Sequence, residues 1–266
     1  MNLDFIDGLR FKQLLTAGAE TLLEHKEEVD DLNVFPVPDG DTGTNMYLTF
    51  LAAVNEAEKA SSDLQNILEK AAQGALMGAR GNSGVIVSQF FRGFAKGAPK
   101  VKKLGVKEIA SGLERASSLA YQAVRKPVEG TILTVMREAG EKAQELSKQK
   151  ISLIDFLEAV MLHAEEILEQ TPEMLPTLKQ AGVVDAGGKG LLFFFQGILD
   201  AVKGKKSRPG TKAKKDKEEG YKSATGYMEG EVDLVDITFQ YCTEFILQGK
   251  GLRIEEIKQD LSPHGD

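Results

Sequence analysis

One spacing dominates the first three quarters of this chain. Apolar residues recur at the three- and four-residue steps that place them on a single helix face. Leu15, Ala19, Leu22 and Leu23 form one such stripe, and Met46, Phe50, Ala53 and Val54 form the next. Leu64, Ile67, Leu68 and Ala71 repeat it, as do Ile109, Leu113, Ala116 and Ala120. Ile132, Val135, Met136 and Ala139 follow, then Leu153, Phe156, Leu157 and Val160, then Leu191, Phe195, Ile198 and Leu199. Start signals agree with the stripes: Ser62 before Asp63, Ser152 before Leu153, and Thr171-Pro172 as a start with proline at the first helical position. The segment Val85–Phe91 contains three β-branched residues and is read as helix because its neighbours are helical. Many amphipathic helices with short connections imply a bundle or a barrel of helices.

The remaining bulk properties exclude more than they assign. A chain of 266 residues is long enough to bury a core without disulfides or structural metal. The net charge of −7 disfavours a nucleic-acid partner, and an anionic ligand would need local cations. A single cysteine, Cys242, makes no internal disulfide. The N-terminal stretch lacks the apolar core of a signal peptide. No run reaches the roughly 18 apolar residues of a membrane span. A cytoplasmic protein is expected.

The helical grammar ends near residue 203. Residues 204–226 are lysine-rich and apolar-poor, the pattern of a solvated linker. Beyond it, Ile237, Phe239, Tyr241 and Phe245 alternate as in a strand, and Ile254, Ile257 and Leu261 return to helical spacing. One strand and one helix do not make a stable domain. Residues 227–266 are therefore expected to begin an α/β second domain that is truncated here.

Three glycine-rich junctions stand at the heads of helices: DGDTGTN at 39–45, GARGNSG at 78–84, and DAGGKG at 185–190. Small residues beside free N–H groups at a helix N-terminus suit phosphate. Each also has a plain reading as a turn or a cap, with Asp41 or Thr42 capping the first and Asp185 the third. The first junction holds more than a cap needs. Asp39 and Asp41 straddle one glycine and repel each other unless a cation lies between them. Mg²⁺ is held by one or two carboxylates together with phosphate oxygens, and Asn33 lies six residues upstream as a neutral oxygen donor. None of the three is a P-loop, because GGKG lacks the spacing and the Ser/Thr.

The stretches LNVFPVPDGDTGTNM, LMGARGNSGVIVSQFFRGF, KPVEGTILTV and GVVDAGGKGLLFF, in this order, resemble the large subunit of bacterial fatty acid kinase. Its N-terminal domain is the module found in the nucleotide-binding subunit of dihydroxyacetone kinase. The resemblance covers residues 1–203, and the tail resembles the start of that protein's middle domain. It implies an all-α barrel of about eight antiparallel helices with ATP at one end. It also implies that the γ-phosphate of Mg²⁺·ATP passes to a fatty acid carboxylate presented by a separate DegV-like fatty-acid-binding protein. Carried over residue by residue, Asp39 and Asp41 match the metal-binding aspartates. Asn33 falls one residue out of step with a third carboxylate. Thr42, Gly43, Thr44 and Asn45 match the segment that wraps the phosphates, and Asn82, Ser83 and Gly84 match a second nucleotide turn. Thr131 and Asp185 match positions near the nucleotide. Arg80 is a candidate cation for the transferred phosphoryl group, on chemical grounds.

ATP brings about four negative charges to an acidic protein, and two Mg²⁺ ions would offset them. A carboxylate acceptor is already an anion and needs no general base, so His25, His163 and His264 are read as structural or surface residues. The sequence shows no long apolar pocket for an acyl tail, which is why the acceptor is expected on another protein. A dihydroxyacetone-type kinase subunit and a non-catalytic nucleotide-binding regulator are the competing readings. A homodimer is compatible with all of them.

Overall fold

The amphipathic stripes become helices that bury their apolar faces against one another. In this computed structural model the described residues are 4–98, 101–205, 245, 247 and 249–264. The chain divides into two units, Met1–Lys212 and Ala213–Asp266. In the first unit the elements are α1 (Gly8–Glu24), α2 (Lys26–Asp31), α3 (Thr42–Lys59), α4 (Leu64–Met77), α5 (Gly81–Gly97), α6 (Val106–Ala123), α7 (Ile132–Leu146), α8 (Leu153–Met174), α9 (Pro176–Ala181) and α10 (Ala186–Val202). One isolated antiparallel bridge joins Ile6 to Leu104, and no strand occurs among the described residues. The fold is all-α, and residues 85–91 lie inside α5 as the pattern predicts.

Each long helix packs on the next, from α3 through α8. Helix α1 packs on both α3 and α10, and α10 packs on α8. Helix α3 also touches α5 and α10, so the packing is that of a helix bundle. Helices α1 and α10 approach at Gly18 and Gly197. A Cβ on Gly18 would stand 2.6 Å from the Phe194 ring, and one on Gly197 would stand 2.5 Å from the Ala17 carbonyl oxygen. A side chain at either position would hold the two backbones apart. Phe50, Phe91 and Phe194 pack at the centre, with Phe50 stacked on Phe194 at 4.1 Å.

The core contains an apolar cavity of about 110 Å³, too small for a long acyl tail. Its lining comes from the N-terminal halves of α1, α6 and α8 and the C-terminal halves of α5 and α10, including Phe11, Phe90, Leu113, Val160 and Ile198. Phenylalanine-rich helix faces read as core in a sequence, and nothing in their spacing reveals where the rings leave a gap.

Two start signals fall elsewhere than expected. The cap of α4 is Asp63, whose carboxylate accepts the Asn66 N–H, rather than Ser62. Pro172 does not open a helix; it lies within α8. A proline there has no N–H for the Leu168 carbonyl. The Thr171 hydroxyl donates to that carbonyl at 2.6 Å and lets the helix continue. The proline at a helix start is Pro176, opening α9.

In the second unit, α11 (Ile254–Leu261) is the helix expected from Ile254, Ile257 and Leu261, and none of its residues is buried. Residues 237–244 of the expected strand and most of the 204–226 linker lie outside the described residues, as does Cys242, while Phe245 is described, exposed and not in a strand. No described helix is long and apolar enough to cross a membrane.

Candidate functional site

The three glycine-rich junctions, far apart in sequence, meet at one end of the bundle. Asn45, in the first turn of α3, contacts Gly81 at the head of α5: a Cβ there would stand 2.5 Å from Asn45 Nδ2. Gly81 also has φ +60°, so the position admits glycine on both counts. Gly84 lies against Thr49 of α3. On the other side of α3, Gly190 of α10 lies against Met46 and Val29. Gly187 of α10 packs on Ile132, the first residue of α7. The N-termini of α3, α5, α7 and α10 therefore share one end, and the apolar cavity lies in the opposite half. Several helix N-termini together present unpaired N–H groups and partial positive charge to an anion.

The loop Asn33–Asp41 carries the acidic pair to this end. Asp39 is exposed and Asp41 is half-buried at the head of α3. Burial, followed by the neighbouring Asp39 charge, raises the Asp41 carboxyl above the ordinary range, and a hydrogen bond from the Asn45 side chain draws it partly back. Asn33 is buried, and its Nδ2 donates to Asp39 Oδ1 at 2.6 Å. Among the described residues, no lysine or arginine forms an ion pair with Asp39 or Asp41, and no group of three or more His, Cys, Asp or Glu is arranged to hold a metal. The donor set is two carboxylates and one amide. It suits a hard cation that completes its shell with phosphate oxygens and water, as Mg²⁺ does.

The other sequence candidates fall into two groups. Thr42 and Gly43 are buried in the first turn of α3, with Thr44 and Asn45 beside them. Arg80 is the exposed N-cap residue of α5, Asn82 and Ser83 follow in its first turn, and Gly84 is buried. Thr131 and Asp185 serve backbone instead. Thr131 Oγ1 caps α7 at Leu133 N–H and donates to the Val128 carbonyl. Asp185 caps α10, accepting the Gly188 N–H at 2.7 Å, and its own N–H donates to Thr171 Oγ1. Burial pushes the Asp185 carboxyl up to about 6, against the backbone N–H groups of Gly188 and Ile132 that favour its charged form. One buried carboxylate thus ties together the heads of α7 and α10.

Some residues at this end escaped the sequence. Asp30 of α2 accepts both the N–H and the hydroxyl of Thr44, at 3.0 and 2.8 Å. Glu129 accepts from Tyr121, Thr134 and Arg137 beside the Gly130 turn that leads into α7. Burial tends to raise the Glu129 carboxyl, but the hydrogen bonds from Thr134, Tyr121 and Arg137 outweigh it and hold the group below its ordinary value. Lys189 sits over the Phe193 ring at 5.0 Å, and His25 stacks on the same ring at 4.1 Å. Asp30 has no motif around it, and although Glu129 and Lys189 lie inside the KPVEGTILTV and DAGGKG stretches, the contacts they make are tertiary.

Solved structures of the same architecture exist. The dihydroxyacetone kinase from C. freundii in complex with AMP-PNP and Mg²⁺ superposes with a TM-score of 0.50 at 20% identity, over 71% of this chain and 33% of that one. The native form of that enzyme gives 0.50 at 19% identity, over 71% and 34%. At these identities the likeness concerns the fold. Among curated proteins, protein YloV of Bacillus subtilis is 42% identical over 100% of this chain and 49% of its own length. An uncharacterised protein of Staphylococcus aureus is 42% identical over 98% of this chain and 48% of its own. The chain spans about half the length of the curated relatives it matches. The family model described as the DAK2 domain matches residues 36–200, from the proline ahead of the acidic pair to the last turns of α10, and the chain belongs to the DAK2-domain family.

Proposed function

We propose that this chain is the nucleotide-binding kinase module of a phosphotransferase, using Mg²⁺·ATP at the end where the four helix N-termini meet. The observation that carries the reading is the placement of Asp39 and Asp41 among those N-termini, without a cationic partner among the described residues. In it, Asp39 and Asp41, with Asn33 beside them, hold two Mg²⁺ ions. The ions would supply charge neutralisation for the phosphates. Thr42, Gly43, Asn82 and Ser83, in the first turns of α3 and α5, direct backbone N–H groups at phosphate oxygens, Thr44, Asn45 and Gly84 complete those turns with their N–H groups engaged within the protein, and Arg80 pairs with the transferred group. Thr131 and Asp185 act from beneath by fixing the heads of α7 and α10. In the same reading the circuit of packed helices closes as an eight-helix barrel, with α1 against α10 as the seam.

The acceptor we assign is a fatty acid carboxylate presented by a DegV-like protein, giving an acyl phosphate. A carboxylate needs no general base. His25 is engaged with Glu28 and Phe193, and His163 lies beside Glu138 and Glu166. The second reading is a dihydroxyacetone-type acceptor, favoured by the solved kinases that share the fold. One experiment separates them. The chain is incubated with Mg²⁺·ATP and either a fatty-acid-loaded DegV-like protein or dihydroxyacetone, and acyl phosphate is trapped as hydroxamate while dihydroxyacetone phosphate is assayed enzymatically. Hydroxamate formation that is abolished in a folded Asp41→Ala variant supports the first reading. Dihydroxyacetone phosphate alone supports the second. Nucleotide binding without transfer to either would make the module a regulator, and absence of Mg²⁺-dependent ATP binding would overturn the proposal.

A further inference from the structure

Several helices here are capped by the side chain of their own N-cap residue. Asp7, Asp63, Thr131, Ser152 and Asp185 each accept a backbone N–H two or three residues on, and each has an extended backbone. Asp41 stands at the same place before α3 and is the same type of residue. Its backbone is at φ −123°, ψ 0°, and its carboxylate caps nothing. The donor an N-cap aspartate ordinarily takes is the third N–H of its helix, here that of Thr44. That N–H goes to Asp30 Oδ1 at 3.0 Å, and the Thr44 hydroxyl goes to Asp30 Oδ2 at 2.8 Å. A carboxylate from another helix, 14 residues upstream, does the capping.

The local sequence makes room for this. A side chain at Gly43 would run into the Lys26 carbonyl and the Asp30 carboxylate, so its absence lets α2 lie on the first turn of α3. Asp30 holds the other side of the acidic loop as well. Its carbonyl accepts the Asn33 N–H at 3.1 Å, and Asn33 in turn donates to Asp39. A carboxylate committed to a cap has a lone pair directed at the helix axis and is a poorer metal ligand for it.

We propose that Asp30 is a positioning residue: it caps α3 in place of Asp41 and so leaves the Asp41 carboxylate available, beside Asp39, to a divalent cation. This rests on the Mg²⁺·ATP reading of the site. Asp30 acts through hydrogen bonds to Thr44 rather than by contact with the cation. Its amide analogue, which can still accept the Thr44 N–H, therefore replaces it.

The test uses the whole chain and two readouts: exchange of the Thr44 amide proton by NMR, and Mn²⁺ affinity in the presence of AMP-PNP by EPR. Asp30→Ala is expected to speed Thr44 exchange at least tenfold and to weaken Mn²⁺ at least tenfold. Asp30→Asn is expected to stay within threefold of the parent on both. Thr44→Val, which deletes only the hydroxyl bond, should weaken Mn²⁺ about threefold and covers the case in which Asp30→Ala does not fold. Unchanged Mn²⁺ affinity in folded Asp30→Ala, or in Thr44→Val where the alanine variant does not fold, overturns the proposal. So does an Asn variant that loses as much affinity as the Ala variant with Thr44 still protected, since charge would then be the cause. If the parent chain itself does not bind Mn²⁺ with AMP-PNP, the nucleotide reading and the cation part of this proposal both fall. Thr44 exchange then still decides whether Asp30 is the cap.

Discussion

Asp185 commits its carboxylate to backbone N–H groups on two helices, and burial makes that carboxylate slow to ionise. The folded value of about 6 lies above the 3.8 of an unperturbed aspartate, which has a definite consequence for stability. Well below pH 3.8 the group is protonated in folded and unfolded chains alike. As pH rises toward 6 the unfolded chain ionises first, so stability contributed by the protonated form is lost through that window. The loss totals on the order of 3 kcal/mol, from about 1.4 kcal/mol for each pH unit between the two values. Urea denaturation of the parent and of Asp185→Asn, from pH 4 to 7, isolates the effect. The parent should lose stability relative to the variant up to about pH 6 and run parallel to it above. A constant difference would show that Asp185 does not titrate there. The sequence marked Asp185 as a cap or a nucleotide neighbour. It did not show the burial, because the side chains that cover the group come from α7 and α8.

The eight long helices of the bundle were legible because a stripe such as Leu64–Ala71 can bury itself in one way only, whereas the six-residue α2 and α9 are too short to show one. Helix ends were less so, and α8 shows why. Proline usually marks a boundary, yet α8 runs through Pro172 because Thr171 supplies the hydrogen that the proline lacks. The same hydroxyl accepts the Asp185 N–H at 3.1 Å, so one fully buried atom serves the end of α8 and the head of α10. Thr171→Val keeps the shape but strands the Leu168 carbonyl and the Asp185 N–H. The expected loss is about 2–4 kcal/mol, from about 1–3 kcal/mol for each buried group left unpaired, with partial relaxation. Thermal unfolding with the parent as reference measures it. Thr171→Ser, which retains the hydroxyl, should lose markedly less; equal losses would mean that packing rather than the hydrogen bonds decides. Such a compensation is invisible to residue-by-residue propensity, since it joins residues 168, 171 and 185 across a turn.

The first unit as a whole separates an apolar half, with its cavity, from an end where helix N-termini and paired carboxylates coexist. The motifs told which residues belong to that end, because each sits at the head of a helical stripe. They could not tell that Asn45 meets Gly81 or that Gly190 meets Met46, which depend on how the helices pack. The coexistence has an electrostatic sign that can be measured. If ATP binds as proposed, with Asp39 and Asp41 beside the phosphates and a net charge of −7 on the chain, ATP without metal meets repulsion. The helix N-termini alone attract the same anion. Removing the two carboxylates should therefore change binding in opposite directions according to the metal. In the parent chain, Mg²⁺ should raise ATP affinity at least tenfold over EDTA, since the cation links the carboxylates to the phosphates. In the Asp39→Asn, Asp41→Asn double variant, affinity for Mg²⁺·ATP should fall toward the metal-free value, while affinity for ATP in EDTA should rise above the parent's. Calorimetry with and without EDTA gives all four constants. If the double variant also binds metal-free ATP more weakly than the parent, the carboxylates are not repelling the phosphates and the assignment of this end as the nucleotide site fails. If all four constants agree, ATP binds away from Asp39 and Asp41.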